Sequence, residues 1–141
     1  MSKGVPVLVP VTPEARAAIL RERIVLDGFP FRIGRESRAG FVDGALRSLE
    51  RRSGGLPPNN DLYMLDRGTL LNVSREHFQI EKTKEGGYAL VDRGSTCGTI
   101  VDGQTVGGQE RGGTAPLKEG SLIRVGTQAS PYLFKFLISA D

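Results

Sequence analysis

The sequence is poor in the residues that build covalent and metal frameworks. One cysteine and one histidine among 141 residues exclude an internal disulfide network and the usual zinc and iron ligand sets, so no metal and no cofactor are expected. Long apolar runs are missing too. The opening residues Met1-Ser2-Lys3-Gly4-Val5 carry neither a secretory h-region nor a membrane span, and a reducing, cytoplasmic setting with no membrane contact is the expectation. Basic residues alternate with acids, as in Arg21-Glu22-Arg23 and Glu50-Arg51-Arg52. No aromatic residues are interleaved with them, which argues against a nucleic-acid surface. The net charge of +3 instead suits an acidic or phosphorylated partner, without naming one.

What is present points to strands. With 38% hydrophobic residues, a chain of this length forms one domain and buries about 70% of its unfolded surface. Nineteen glycines and eight prolines fall between short apolar runs and no long helical period dominates, so the pattern is that of many strands joined by turns. Expected strands are 5–9, 23–26, 31–33, 62–65, 78–82, 88–91, 99–101, 104–106, 122–125 and 133–138. Asp102-Gly103 marks a tight hairpin. Thr12-Pro13-Glu14-Ala15 reads as a capped helix start; a rival reading of Thr12 as a phosphorylation site is explained more simply by the cap. Residues 36–60 read as a long, flexible loop insertion with one helical turn at 45–51, where Leu46 and Leu49 share a face. Residues 107–113 read as a flexible stretch. Apolar strand faces need a second sheet, so the fold class is all-β, an antiparallel β-sandwich of two sheets, with one domain spanning 1–141.

Three polar segments stand at strand ends: Phe31-Arg32-Ile33-Gly34-Arg35, Val73-Ser74-Arg75-Glu76-His77, and Asp92-Arg93-Gly94-Ser95-Thr96-Cys97-Gly98-Thr99. Gly34 lets the chain turn, and Arg35 brings a planar fork that matches phosphate oxygens or peptide carbonyls. Ser74 is a short hydroxyl donor beside a cation. His77 reads as a buried imidazole that ties two loops together, not as a catalyst. The glycine-flanked Gly94 to Thr99 turn can line an anion site with hydroxyls and N–H groups, or can bond its own backbone as an ordinary Ser/Thr turn.

Their order and context resemble the forkhead-associated (FHA) domain, a SMAD-like sandwich that reads phosphothreonine. The resemblance runs from Phe31 to Gly103 and, through the flanking strands, over most of the chain. It implies that Arg35, Ser74, Arg75, Thr96 and Cys97 line the phosphopeptide site, that Gly34, His77 and Gly98 support the loops, and that the partner is a phosphothreonine-containing protein or peptide. Two departures stand out. Cys97 occupies the place of the asparagine that usually grips the peptide main chain, and a lost hydrogen bond there costs on the order of 1 kcal/mol. The 36–60 insertion follows directly on Arg35 and would add Arg38, Arg47, Arg51 or Arg52 to the field around the site.

Two other readings compete. A sandwich that no longer reads phosphate and serves as a constitutive interaction module is kept open by Cys97. A Cys/Thr hydrolase is suggested by Gly94-Ser95-Thr96-Cys97-Gly98 and by a Cys97–His77 dyad, but a nucleophile elbow leads from a strand into a helix, and here a hairpin follows. An enzyme is therefore not expected.

Overall fold

In the computed structural model the described residues are 4–35, 39–42, 45–48, 60–66, 71–109 and 111–139. Two sheets face each other. The first has six strands in the order β10-β9-β12-β13-β1-β2, formed by β1 (Val5–Pro10), β2 (Ile24–Val25), β9 (Thr99–Val101), β10 (Gln104–Val106), β12 (Leu122–Val125) and β13 (Leu133–Ser139). The second has five in the order β11-β8-β7-β3-β6, from β3 (Phe31–Arg35), β6 (Leu62–Met64), β7 (Phe78–Lys82), β8 (Tyr88–Asp92) and β11 (Gly113–Leu117). Leu8, Phe134 and Phe136 from the first sheet and Ile33, Phe78, Ile80 and Leu90 from the second meet in one core.

The helix α1 (Pro13–Ile19) adds Ala15, Ala18 and Ile19 to that core. Thr12 caps it, with its hydroxyl accepting from the Ala15 amide at 3.1 Å and donating to the Pro131 carbonyl. That hydroxyl is structurally committed.

Three elements depart from the sequence expectations. First, β3 and β6 pair in parallel, Ile33 beside Leu62 and Arg35 beside Met64, so the second sheet is mixed rather than purely antiparallel. Parallel neighbours require a long crossover, and the 36–60 segment between them supplies the length. Second, the backbone of β4 (Ala39–Val42) and β5 (Ala45–Ser48) forms an antiparallel hairpin where a helical turn was expected at 45–51. Asp43-Gly44 between the two runs is a hairpin signal, and it outweighs the helical spacing of Leu46 and Leu49. The remainder of the expected flexible loop, with Arg38, Arg51 and Arg52, lies outside the described residues. Third, β11 follows the expected flexible 107–113 stretch, sharing only Gly113 with it, where no strand was expected. It holds an edge beside β8, the position at which a strand tolerates Pro116.

Register places the polar segments together. Ile33 pairs with Phe78 and Phe78 with Asp92, so the end of β3, the start of β7 and the end of β8 share one end of the sheet. In the opposite sheet β9 starts at that same end, where the Gly126 amide donates to Gly98 O at 2.9 Å.

Candidate functional site

Arg35 ends β3 almost buried, at 9% exposure. Its amide donates to Ser74 O at 2.9 Å and its Nε to Val73 O at 2.8 Å, so the guanidinium braces the segment that carries Ser74. From the other side Asp66 holds the same segment. Its Oδ2 accepts from the Asn72 and Val73 amides at 2.6 and 2.9 Å, and its Oδ1 from the Tyr132 hydroxyl at 2.9 Å.

His77 is fully buried and bridges two loops. Nδ1 accepts from the Ser74 amide at 2.9 Å, and Nε2 lies 2.7 Å from Gly98 O. A carbonyl only accepts, so the proton resides on Nε2 and both ring nitrogens are satisfied in the neutral form. Burial lowers the imidazole pKa from its ordinary value; the Gly98 carbonyl and the Asp92 and Asp66 carboxylates pull the other way and are outweighed. A second proton would also have to sit on Nδ1, facing the Ser74 N–H.

The third segment is organised by Asp92, 3% exposed. Its Oδ1 accepts from the Gly94 and Ser95 amides at 2.9 and 2.8 Å, and its Oδ2 from the Ser95 and Thr99 hydroxyls at 2.6 and 2.9 Å. Ser95 is therefore a frame residue, and its Oγ also accepts from the Gly98 amide at 2.9 Å. The adjacent Thr96 is exposed, and its amide donates to Ser74 Oγ at 3.0 Å. Accepting there leaves the Ser74 hydroxyl proton without an acceptor among the described residues. The Thr96 hydroxyl and the Arg75 guanidinium likewise make no hydrogen bond or ion pair among them. Ser74 and Thr96 thus meet where the two loops touch, and Arg75 is the next residue along the chain from Ser74.

Gly34 has a different role from the turn suggested by the sequence. It sits inside β3, and a Cβ there would lie 2.0 Å from Arg75 O and 2.6 Å from Asn60 Nδ2. Space is what requires glycine. Gly98 requires it by conformation, with φ +83° against the backbone of Gly107 and Gly108. Cys97 is half-buried and unpaired, its Sγ 3.5 Å from Leu71 O, so the thiol leans on the loop preceding Ser74.

Sequence reasoning missed several supports. Asn60 spans two loops, Nδ2 donating to Arg75 O at 2.6 Å while Oδ1 accepts from Arg93 Nη1 at 2.9 Å, and Arg93 also reaches Glu76 at 3.6 Å. Asp66 acts across the chain, as described above. Neither carries a local signal. Asp92 did carry one, because Asp followed two residues later by glycine favours an Asx turn. Residues 107–109 also belong here: the Gln109 amide donates to Thr96 O at 2.9 Å. A cleft of about 460 Å³, lined in part by Phe29, Phe31 and Asp61, lies toward the other end of β3 and includes none of the site residues. Among the described residues no His, Cys, Asp and Glu cluster suits a metal ion, and no helix is long and apolar enough to cross a membrane.

Solved structures share this architecture. The kinase-interacting FHA domain of the kinase associated protein phosphatase of Arabidopsis is 21% identical with a TM-score of 0.62, covering 100% of this chain and 98% of that one. The N-terminal FHA domain of S. cerevisiae Rad53p, solved with a phosphothreonine peptide, is 19% identical with a TM-score of 0.58, covering 97% and 94%. Mycobacterium tuberculosis EmbR, solved with a low affinity phosphopeptide, is 21% identical with a TM-score of 0.57; 98% of this chain matches but only 25% of EmbR. At such identities the likeness establishes the fold. No protein of curated function matches the sequence. The family model for the FHA domain matches residues 31–126, more than half of the sequence, and the chain belongs to that family.

Proposed function

We propose that the loop end of the sandwich binds phosphothreonine in a partner protein, as a recognition module without catalytic activity. The observation that carries this reading is the contact between Thr96 N and Ser74 Oγ. It brings the backbone of Thr96 against the Ser74 hydroxyl, one residue from Arg75, on a segment that Arg35 braces, and so supports a site to which both hydroxyls and both arginines contribute. A phosphate brings about −1.5 to −2 charge and three acceptor oxygens, and charge-assisted hydrogen bonds are roughly twice as strong as neutral ones. Ser74 and Thr96 donate their hydroxyl protons, while Arg75 and Arg35 supply positive charge. That the Rad53p domain was solved with a phosphothreonine peptide and EmbR with a phosphopeptide supports the reading.

Cys97 lowers affinity by withholding a strong main-chain contact, since a thiol is a weak donor and this one leans on Leu71 O. Hydrolase chemistry is unsupported by geometry, because both ring nitrogens of His77 are already engaged and it has none to offer Cys97. The test is a titration with a peptide library fixed on phosphothreonine against its dephosphorylated copy. Only the phosphorylated library binds. Thr96→Ala, exposed and outside the core, loses about tenfold or more in affinity with unchanged stability, as removal of a charged hydrogen bond of ~1.5–3 kcal/mol requires. Arg35→Ala abolishes binding. Equal binding of the two libraries would leave the constitutive-module reading in its place.

A further inference from the structure

At the edge of the six-stranded sheet, β2 has β1 on one side and no strand on the other. Leu26 N donates to Pro6 O at 2.9 Å, in register with the Leu8–Ile24 and Val7–Val25 pairs. Hydrogen-bonded and non-bonded pairs alternate along an antiparallel ladder, so Ile24 and Leu26 turn their backbone groups to β1 while Val25, between them, turns its N–H and C=O away from it. Those two groups find no partner among the described residues. The Val25 side chain is 43% exposed, and the cleft bordered by Ile24, Val25 and Asp61 adjoins the same edge. An open edge of this kind is a template for another strand.

The side chains around Val25 decide which strand fits. Arg23 and Asp27 stand two positions before and after it, hence on the same face, and neither makes an ion pair among the described residues. The other charges nearby are matched or lie outside this frame: Glu22 pairs with Arg16 at 3.8 Å and Asp61 with Arg32 at 3.7 Å, and Arg21 precedes it. When two antiparallel copies of β2 meet at Val25, the register sets Val25 opposite Val25, Arg23 opposite Asp27 and Asp27 opposite Arg23. Each Val25 then donates its N–H to the other's C=O, and both cross-strand charge pairs are opposite in sign. Arg23-Ile24-Val25-Leu26-Asp27 is its own complement, which is what a two-fold axis demands. The remaining edges offer no such match, since β10 and β6 carry no charged residue and β11 carries Pro116. We propose that the chain forms a weak symmetric dimer with a second copy of itself through the edge of β2, joining the two six-stranded sheets into one. One short strand per copy sets a dissociation constant on the order of 0.1–1 mM. Antiparallel pairing points the two loop ends in opposite directions and leaves both accessible, so the dimer stands apart from the phosphate-binding reading.

Sedimentation velocity of the full chain from about 20 µM to about 1 mM tests this, with amide spectra over the same range. The sedimentation coefficient rises toward that of a dimer, and the resonances of Arg23 to Asp27 move with concentration while those of Ser74 and Thr96 stay in place. Val25→Pro removes an N–H that β1 does not use and weakens the dimer more than about tenfold. Arg23→Asp and, separately, Asp27→Arg set like charges opposite each other twice over and weaken it about tenfold. Combining the two restores it, because the pairs are again opposite in sign. These charge variants lie on exposed side chains and decide the matter even where proline disturbs β2. A chain that stays monomeric at about 1 mM, a dimer indifferent to Val25→Pro, or a double variant no tighter than the single ones would overturn the proposal. So would concentration-dependent shifts centred on β10, β11 or the phosphate loops.

Discussion

Replacing His77 by alanine tests the frame beneath the loops. The side chain is fully buried and satisfies the Ser74 amide through Nδ1 and the Gly98 carbonyl through Nε2. The two losses are unequal. Gly98 O also accepts from the Gly126 amide and keeps a partner, whereas the Ser74 amide is left with none, at about 1–3 kcal/mol. Removing a buried ring adds a cavity worth roughly 2 kcal/mol, for a total near 3–5 kcal/mol against an overall stability of ~5–15 kcal/mol. The variant folds but is much weakened. Urea denaturation shows the midpoint falling with an unchanged slope, and phosphopeptide affinity drops because Ser74 loses its anchor. The same residue sets a pH dependence. Its folded pKa lies below the ordinary imidazole value of 6.5, so as pH falls below about 6.5 the unfolded chain takes up a proton before the folded one. Stability is therefore full above that value and declines on acidification down to the lowered folded pKa. His77→Ala removes this component. A variant that loses less than about 1 kcal/mol, or that keeps the wild-type slope of stability against pH near 6, would refute the bridging role.

Other substitutions probe the remaining supports. Gly34→Ala forces a methyl to within 2.0 Å of Arg75 O; the expected cost is about 1–3 kcal/mol, with displaced amide resonances for Arg75 and Asn60. Asp92→Ala strips acceptors from two amides and two hydroxyls, and chemical denaturation is expected to show a loss of about 3 kcal/mol or more. Asn60→Ala releases Arg75 O and Arg93 together, so phosphopeptide affinity falls several-fold in calorimetry while melting changes little. Cys97→Asn supplies a stronger donor and acceptor and raises phosphopeptide affinity several-fold, equivalent to about 1 kcal/mol.

Much of the strand inventory was legible because period-two apolar alternation and turn chemistry are local. Tyr88–Asp92, the Asp102-Gly103 hairpin and the central β13 all announce themselves this way. The misreadings arose where two local signals competed. Pro116 disguised β11, which an edge tolerates, and helical spacing at Leu46 and Leu49 hid a hairpin whose Asp43-Gly44 signal was present.

By itself the sequence determined which chemistry was available: hydroxyls at 74 and 96, arginines at 35 and 75, one histidine, and strand ends to carry them. Tertiary structure alone decided how they act. Whether Ser74 Oγ meets Thr96 N depends on register between strands far apart in the chain. So do the needs for glycine at 34 and for Asn60 and Asp66 as clamps, since each reflects a contact across 41, 15 or 66 positions with no trace in neighbouring residues. The free edge at Val25 is of the same kind: the local pattern says that residues 23–26 form a strand, and only its pairing with β1 says which backbone groups are left to water.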